Sequence, residues 1–300
     1  MSSSKLPQPF IHCTRRQFLV TAAAFLTSAP VLSCVRPRAH PPSLVAIEAR
    51  VGGRVGVFAL DTGTGRSLAN RPDERFALCS TFKWVLAAAI LAQTDRGRMS
   101  LGARIAYGPD DLIDHAPITK ANIAKGSMTL DALAAAAVTD SDNTAANLLL
   151  AKLGGPTALT AFVRSVGDPV TRLDRNEPAL NSNEAGDARD TTSPRAMVGL
   201  VNTLLCGQTL APNSRDLLLG WLRACKTGGD RLRAGLPRDW VVGDKTGSGR
   251  RGAINDVAIA FPPHRAPILI AAYLSGSPAR LPALAAAHAD IGRWVAHELA

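Results

Sequence analysis

Aromatic residues make up only 5% of this 300-residue chain, and cysteine occurs just five times. The shortage of aromatics argues against a nucleic-acid surface, which interleaves stacking rings with a basic stripe. The basic residues are scattered, and the formal charge of +10 is inflated by one end. Residues 1–40 hold Lys5, Arg15, Arg16, Arg36 and Arg38 and no acid, which leaves the rest at +5. That mild excess helps attract small anions. The cysteines (Cys13, Cys34, Cys79, Cys206 and Cys225) are irregularly spaced and odd in number, which argues against a disulfide framework. No Cys/His spacing suits zinc, so no metal site is expected. No internal repeat is evident either.

What is present suits a soluble globular protein with a large core: 46% of residues are hydrophobic and 19% charged. The amino-terminal segment reads as an export signal. Paired Arg15 and Arg16 stand directly before the apolar stretch Phe18 to Leu32, the layout of a twin-arginine signal. Such substrates cross already folded, so folding occurs in the reducing cytoplasm, where disulfides are rare. The expected destination is the periplasm or cell envelope. Two processing routes stand open: lipid attachment at Cys34, or cleavage near Ala39.

Beyond the signal, β-type runs lie at both ends and helices fill the middle. Arg54 to Leu60, a Gly-containing turn and Arg66 to Asn70 read as a hairpin. Ser80 to about Leu219 is rich in Ala and Leu at helical spacing. Strands return at Trp240 to Asp244, Ala253 to Phe261 and Ala266 to Leu274, and Pro282 to Ala300 reads as an amphipathic helix. The expectation is an α+β fold. Residues 41–75 and 220–300 form an antiparallel five-stranded sheet domain flanked by helices, and 76–219 form an inserted all-α domain.

Three motifs carry the chemistry: Ser80-Thr81-Phe82-Lys83, Ser141-Asp142-Asn143 and Lys245-Thr246-Gly247. Spacing alone is weak, since Ser2-Ser3-Ser4-Lys5 matches the first and Lys226-Thr227-Gly228 the third. Context separates them. Ser80 opens a strongly helical segment, so Lys83 shares its face and free backbone N–H groups gather at the hydroxyl. Serine needs a base to take its proton, and a lysine serves only if burial and nearby cations lower its pKa. Ser141-Asp142-Asn143 precedes a helix and also reads as a plain N-cap. Lys226 is set aside as the end of a helical run, with Gly228 and Gly229 as its C-cap. Lys245 ends a strand, where adjacent Gly247 lets a ligand approach the backbone.

These motifs occur together in active-site serine β-lactamases and penicillin-binding proteins. The chain resembles the class A β-lactamases from about Leu44 to Ala300. The resemblance includes Arg172 to Asn181, similar to the family's omega loop (here 172–190), and Asp190-Thr191-Thr192. It implies a serine β-lactamase/transpeptidase-like fold and assigns the roles residue by residue. Ser80 is the nucleophile; Lys83, or Glu177 through a water, takes its proton; Ser141 relays a proton to the ring nitrogen. Glu177 and Asn181 handle the hydrolytic water, Arg175 and Asp190 clasp the loop, and Glu177-Pro178 is cis. Asn143 holds a substrate amide. Lys245, Thr246, Gly247 and Arg231 receive the substrate carboxylate, and the amides of Ser80 and Ser248 form the oxyanion hole.

Some positions depart from the family. Asn176 stands where many members have Trp, and Ile254 where many have an arginine. Arg231 matches the alternative arginine, and His115 replaces an aromatic at the cleft mouth. Ser248, Arg231 and His115 together hint at a broad spectrum that reaches carbapenems. Against this, carbapenemases with a cysteine at the Cys79 place pair it with one matching Gly249. The implied partner is a β-lactam small molecule, with a monomeric enzyme, no cofactor and no nucleic acid. A penicillin-binding DD-peptidase or sensor, which stays acylated, and a serine amidase of the same fold are the alternatives.

Overall fold

A computed structural model describes residues 40–300. The export-signal expectation, Cys34 included, lies outside the described residues. In chain order the helices are α1 (Leu44–Val51), α2 (Phe82–Asp95), α3 (Pro117–Ala121), α4 (Leu130–Thr139), α5 (Asn143–Leu153), α6 (Pro156–Ser165), α7 (Pro194–Val201), α8 (Pro212–Arg223), α9 (Leu232–Gly235) and α10 (Leu281–Leu299). The strands are β1 (Arg54–Asp61), β2 (Ser67–Asn70), β3 (Phe76–Ala77), β4 (Arg104–Ala106), β5 (Ser127–Thr129), β6 (Thr191–Thr192), β7 (Val241–Ser248), β8 (Ile254–Phe261) and β9 (Ile268–Ser275).

The expected antiparallel sheet is present, in the order β2-β1-β9-β8-β7. Its inner strands are buried on both faces, and alternate residues serve different cores. Val55, Val57 and Ala59 of β1, with Ile268, Ile270 and Ala272 of β9, pack under α1 and α10. Phe58, Leu269, Ala271 and Tyr273 turn to the opposite face and join the core built on the central helices. Register is specified because one residue of slip would exchange the two sets.

At the heart of the helical side is α2, FKWVLAAAILAQTD, whose residues Phe82 to Ala92 are all buried. A helix apolar all round belongs inside a protein, and Lys83 is therefore carried into the interior with it. The stretch 76–219 is not purely helical as expected. It contains the pairs β3–β6 and β4–β5. These short ladders satisfy backbone groups where the chain crosses between helices, a demand that side-chain periodicity does not register.

Candidate active site

Ser80 sits in a single 3-10 turn, Cys79–Thr81, that leads into α2. The turn begins with Cys79 at φ 45°, a left-handed conformation costing about 1–2 kcal/mol for a residue with a Cβ. Neighbouring elements hold it there. Asn255 of β8 donates from Nδ2 to Ala77 O (2.9 Å) and Leu78 O (3.1 Å). Leu78 N donates to Asp190 O at 2.8 Å. Among the described residues, the Ser80 N–H is not spent on another backbone carbonyl.

Lys83 is completely buried. Its Nζ donates to Ser141 O (2.8 Å), Ser141 Oγ (3.4 Å) and Asn143 Oδ1 and lies 3.0 Å from Glu177 Oε1. The same carboxylate oxygen accepts from Ser80 Oγ at 3.2 Å. Lys83 shares the Ser80 face as its spacing requires, but the Ser80 hydroxyl bonds to Glu177 rather than to Lys83. The reason is that Lys83 is drawn to the three oxygens of Ser141 and Asn143. Burial pushes the Lys83 ammonium below its ordinary pKa, while the Glu177 charge pulls it back.

Ser141 is not a helix cap. Asp142 is the N-cap of α5, accepting from Ala145 N at 2.8 Å, and it also accepts from Ile118 N (3.0 Å) and Thr119 N (2.9 Å). Ser141 itself has φ 58°, which leaves its hydroxyl facing two lysines: Lys245 Nζ donates to Ser141 Oγ at 3.0 Å. Asn143 is also tied to the lysine. Its Oδ1 accepts from Lys83 and its Nδ2 donates to Asp114 O (2.8 Å), so it braces the lysine.

The loop carrying Glu177 is clasped as expected. Arg175 Nε meets Asp190 Oδ2 at 2.6 Å, while Asp190 Oδ1 accepts from Asp174 N and Arg175 N at 2.7 and 2.9 Å. The Glu177-Pro178 bond is cis. Asn181 Nδ2 donates to Glu177 Oε2, and Asn181 Oδ1 is buried without a partner among the described residues. Asn176, in place of a Trp, is exposed. A residue overlooked at the level of sequence completes the clasp. Asn147 accepts from Glu177 N and donates to Glu177 O, both at 3.0 Å. The available signal was its position one helical turn beyond Asn143 on α5, which puts both amides on one face.

The third wall is β7. A Cβ at Gly247 would come within 3.0 Å of Leu78 O and 3.2 Å of Ser80 N, so glycine lets the strand close on the nucleophile turn. Lys245 is completely buried and donates to Thr246 O at 2.9 Å. Burial lowers its pKa to about 8, with the charges of Lys83 and Arg231 pushing the same way. Arg231 is buried rather than a surface arginine. It donates to Gly247 O (2.8 Å), Asn255 O (2.7 Å) and Ser248 Oγ (2.8 Å), beside the Ile254 position. Burial lowers its pKa as well.

The second Lys-Thr-Gly calls for a correction. The helix before it, α8, ends at Arg223, so Gly228 and Gly229 are not its C-cap. Lys226 is exposed and paired with Asp140 at 2.7 Å. Thr227 Oγ1, however, bonds Thr246 Oγ1, and a Cβ at Gly228 would fall 1.6 Å from Asp244 Oδ2. The tripeptide therefore backs the site from behind. His115 lies at the rim with φ 59°, its Nε2 3.1 Å from Asp140 O. With Ile113, Pro117 and Pro178 it lines an opening of about 740 Å³. No metal-binding group of His, Cys, Asp or Glu occurs among the described residues.

Three buried cations, Lys83, Lys245 and Arg231, thus converge beside one serine and one carboxylate. That arrangement can bind an anion, attack a carbonyl and activate water. Comparisons with known proteins agree. The β-lactamase enzyme family profile matches residues 43–299. The chain is 51% identical over 232 residues to a β-lactamase from Streptomyces albus G, covering 76% of this chain and 74% of that one. It is 49% identical over 228 residues to the carbapenem-hydrolyzing β-lactamase KPC from Klebsiella oxytoca, covering 76% and 78%. An ancestral class A β-lactamase (GNCA) superposes with a TM-score of 0.83 at 56% identity, covering 85% of this chain and 97% of that one. The chain belongs to the class A serine β-lactamases, enzymes that hydrolyse the β-lactam ring.

Proposed function

We propose that Ser80 Oγ attacks the β-lactam carbonyl carbon and passes its proton to Glu177. The observation that carries this choice is the direct 3.2 Å contact between Ser80 Oγ and Glu177 Oε1, with no hydrogen bond from Ser80 to Lys83. The amides of Ser80 and Ser248 stabilise the oxyanion as it forms. The C–N bond then breaks, and the ring nitrogen takes a proton from Lys83 through Ser141, which Lys83 and Lys245 both contact. Glu177 hands the serine's proton to Lys83 across their 3.0 Å contact and is again a carboxylate for the second half. Lys245, Thr246 and Arg231 hold the substrate carboxylate beside Gly247 and Ser248. In the second half, Glu177 and Asn181 orient a water and Glu177 removes its proton. The water oxygen adds to the acyl carbon, and Ser80 leaves with its proton restored.

The test is intact mass followed over time with benzylpenicillin, on the wild type and Glu177→Ala. Steady product with a transient adduct in the wild type and a lasting adduct in the variant are expected. A lasting adduct on both would indicate a penicillin-binding DD-peptidase or sensor. No adduct and no product would point instead to a serine amidase.

The reading extends to a broad spectrum that includes carbapenems. Its support is the Arg231–Ser248 pair, His115 at the rim and the likeness to a carbapenem-hydrolysing relative. Imipenem turnover by the purified enzyme tests it; a stable imipenem adduct without product would restrict the range. In its host the enzyme acts as a monomer in the periplasm or cell envelope and confers antibiotic resistance. Arg15 and Arg16 direct export, and the mature end is either lipidated at Cys34 or cleaved near Ala39. Mass of the protein isolated from the envelope distinguishes these two ends.

A further inference from the structure

Against the omega loop lies a cavity of about 540 Å³ whose lining includes none of Ser80, Lys83, Ser141, Glu177 or Lys245. Its wall carries five arginines: Arg54 from β1, Arg75, Arg175, Arg189 and Arg251. Three carboxylates face them, Glu74, Glu184 and Asp187. Arg175 is matched separately by buried Asp190. Four arginines are then left against three acids, and the excess has an identifiable owner. Arg54 pairs with Glu74, Arg189 with Asp187 and Arg251 with Glu184. Arg75 has only neutral partners among the described residues, donating from Nη1 to Val170 O and Thr191 Oγ1 at 3.0 Å each.

The pairs at the mouth are easily exchanged. Both side chains of Arg251–Glu184 are about half exposed, at 56% and 46%, and exposed ion pairs contribute little. A guanidinium offers a planar fork that matches phosphate oxygens as it matches carboxylate oxygens, and a phosphate has further oxygens left for a second guanidinium. The four cations also come from separate segments: β1, the stretch before β3, the omega loop, and the β7–β8 hairpin. Asn183 stitches this wall together, donating to Arg250 O and Arg251 O (3.2 Å each) and accepting from Ser275 Oγ (3.0 Å).

From this we infer that the cavity is a binding site for a multivalent oxyanion of the phosphate class, which braces the omega loop against the body of the protein. The bound anion bridges Arg75 and Arg251 on the body to Arg189 on the loop and displaces Glu184. The inference does not depend on β-lactam turnover.

Pyrophosphate is the probe, added to the whole chain without substrate. In hydrogen–deuterium exchange, residues 182–189 and 251–252 of the wild type should become at least several-fold slower to exchange. Calorimetry should give saturable binding that Arg75→Gln/Arg251→Gln weakens tenfold or more and that Lys245→Ala leaves unchanged. The active-site cleft is itself cationic, so Lys245→Ala separates the two sites. Protection confined to β7 and the Ser80 turn, or binding lost with Lys245→Ala alone, would overturn the inference. So would an absence of saturable binding to the wild type. The exchange measurement stands on the wild type alone, so a misfolded variant cannot mask the result.

Discussion

Glu177 Oε1 lies 3.0 Å from Lys83 Nζ, with both side chains wholly withdrawn from solvent. The same oxygen faces Ser80 Oγ. A buried carboxylate would ordinarily be costly, and a buried ammonium equally so. Each is retained because it satisfies the other, and the shared oxygen brings the carboxylate onto the Ser80 hydroxyl. Lys83 thus steadies the Glu177 carboxylate beside Ser80 without a direct bond of its own to the serine.

Asn147 fixes the backbone of Glu177 at both N–H and C=O. Asn147→Ala is expected to slow deacylation about 100-fold, the usual consequence of displacing a catalytic group by about 1 Å. Acylation by benzylpenicillin, measured under single-turnover conditions, should fall less. Equal slowing of both steps would mean that Asn147 serves the whole site and not the loop.

Burial brings Lys245 down to about 8. Its positive charge, which we propose receives the substrate carboxylate, is present below that pH and lost as pH rises through it. The kcat/KM profile should therefore decline on its alkaline side near pH 8, mainly through KM. Lys245→Arg should move that decline upward, since a guanidinium keeps its proton throughout. An unmoved alkaline limb would assign it to another group.

Arg231 donates to two carbonyls and the Ser248 hydroxyl. Arg231→Ala removes charge-assisted bonds worth about 1.5–3 kcal/mol each. The expected loss in kcat/KM is about 10- to 100-fold. Thr227→Val, which removes the hydroxyl behind Thr246, should raise KM several-fold while leaving the melting temperature near the wild-type value. An unchanged KM would reduce Thr227 to packing.

His288 on α10 is wholly buried, and burial holds its imidazole down to about 4, with Arg231 acting in the same sense. The unfolded chain takes up this proton more readily, near pH 6.5. The neutral form's contribution to stability is therefore complete above pH 6.5 and is lost as pH falls toward 4. Its full value is about 3 kcal/mol. Urea unfolding at pH 7.5 and 4.5 should show a smaller acid loss in His288→Leu than in the wild type. Parallel losses in the two proteins would rule His288 out as the sensor.

Much of the catalytic machinery was legible before any fold was known. Ser80 and Lys83 lie one helical turn apart, and Lys245 to Ser248 form one continuous strand, so local periodicity suffices to bring each set together. Glu177, Asn181 and Arg175 share one loop. The sheet, too, follows from runs of β-branched residues broken by short turns. These are short-range relationships, carried by spacing along the chain.

Other parts depended on contacts that spacing does not encode. Asn255 reaches Ala77 across 178 positions of sequence, and Lys245 reaches Ser141 across 104. Only the packed sheet and central helix bring those groups within bonding distance. The same packing decided that Asp142 rather than Ser141 caps α5, and that Thr227, set aside with its helix, stands behind Thr246. It also decided that Asn143 serves Lys83. Local sequence thus specified which reactive groups exist and which face each presents. The choice of partner for every polar atom fell to tertiary burial, because a donor withdrawn from water must find an acceptor wherever the fold has placed one.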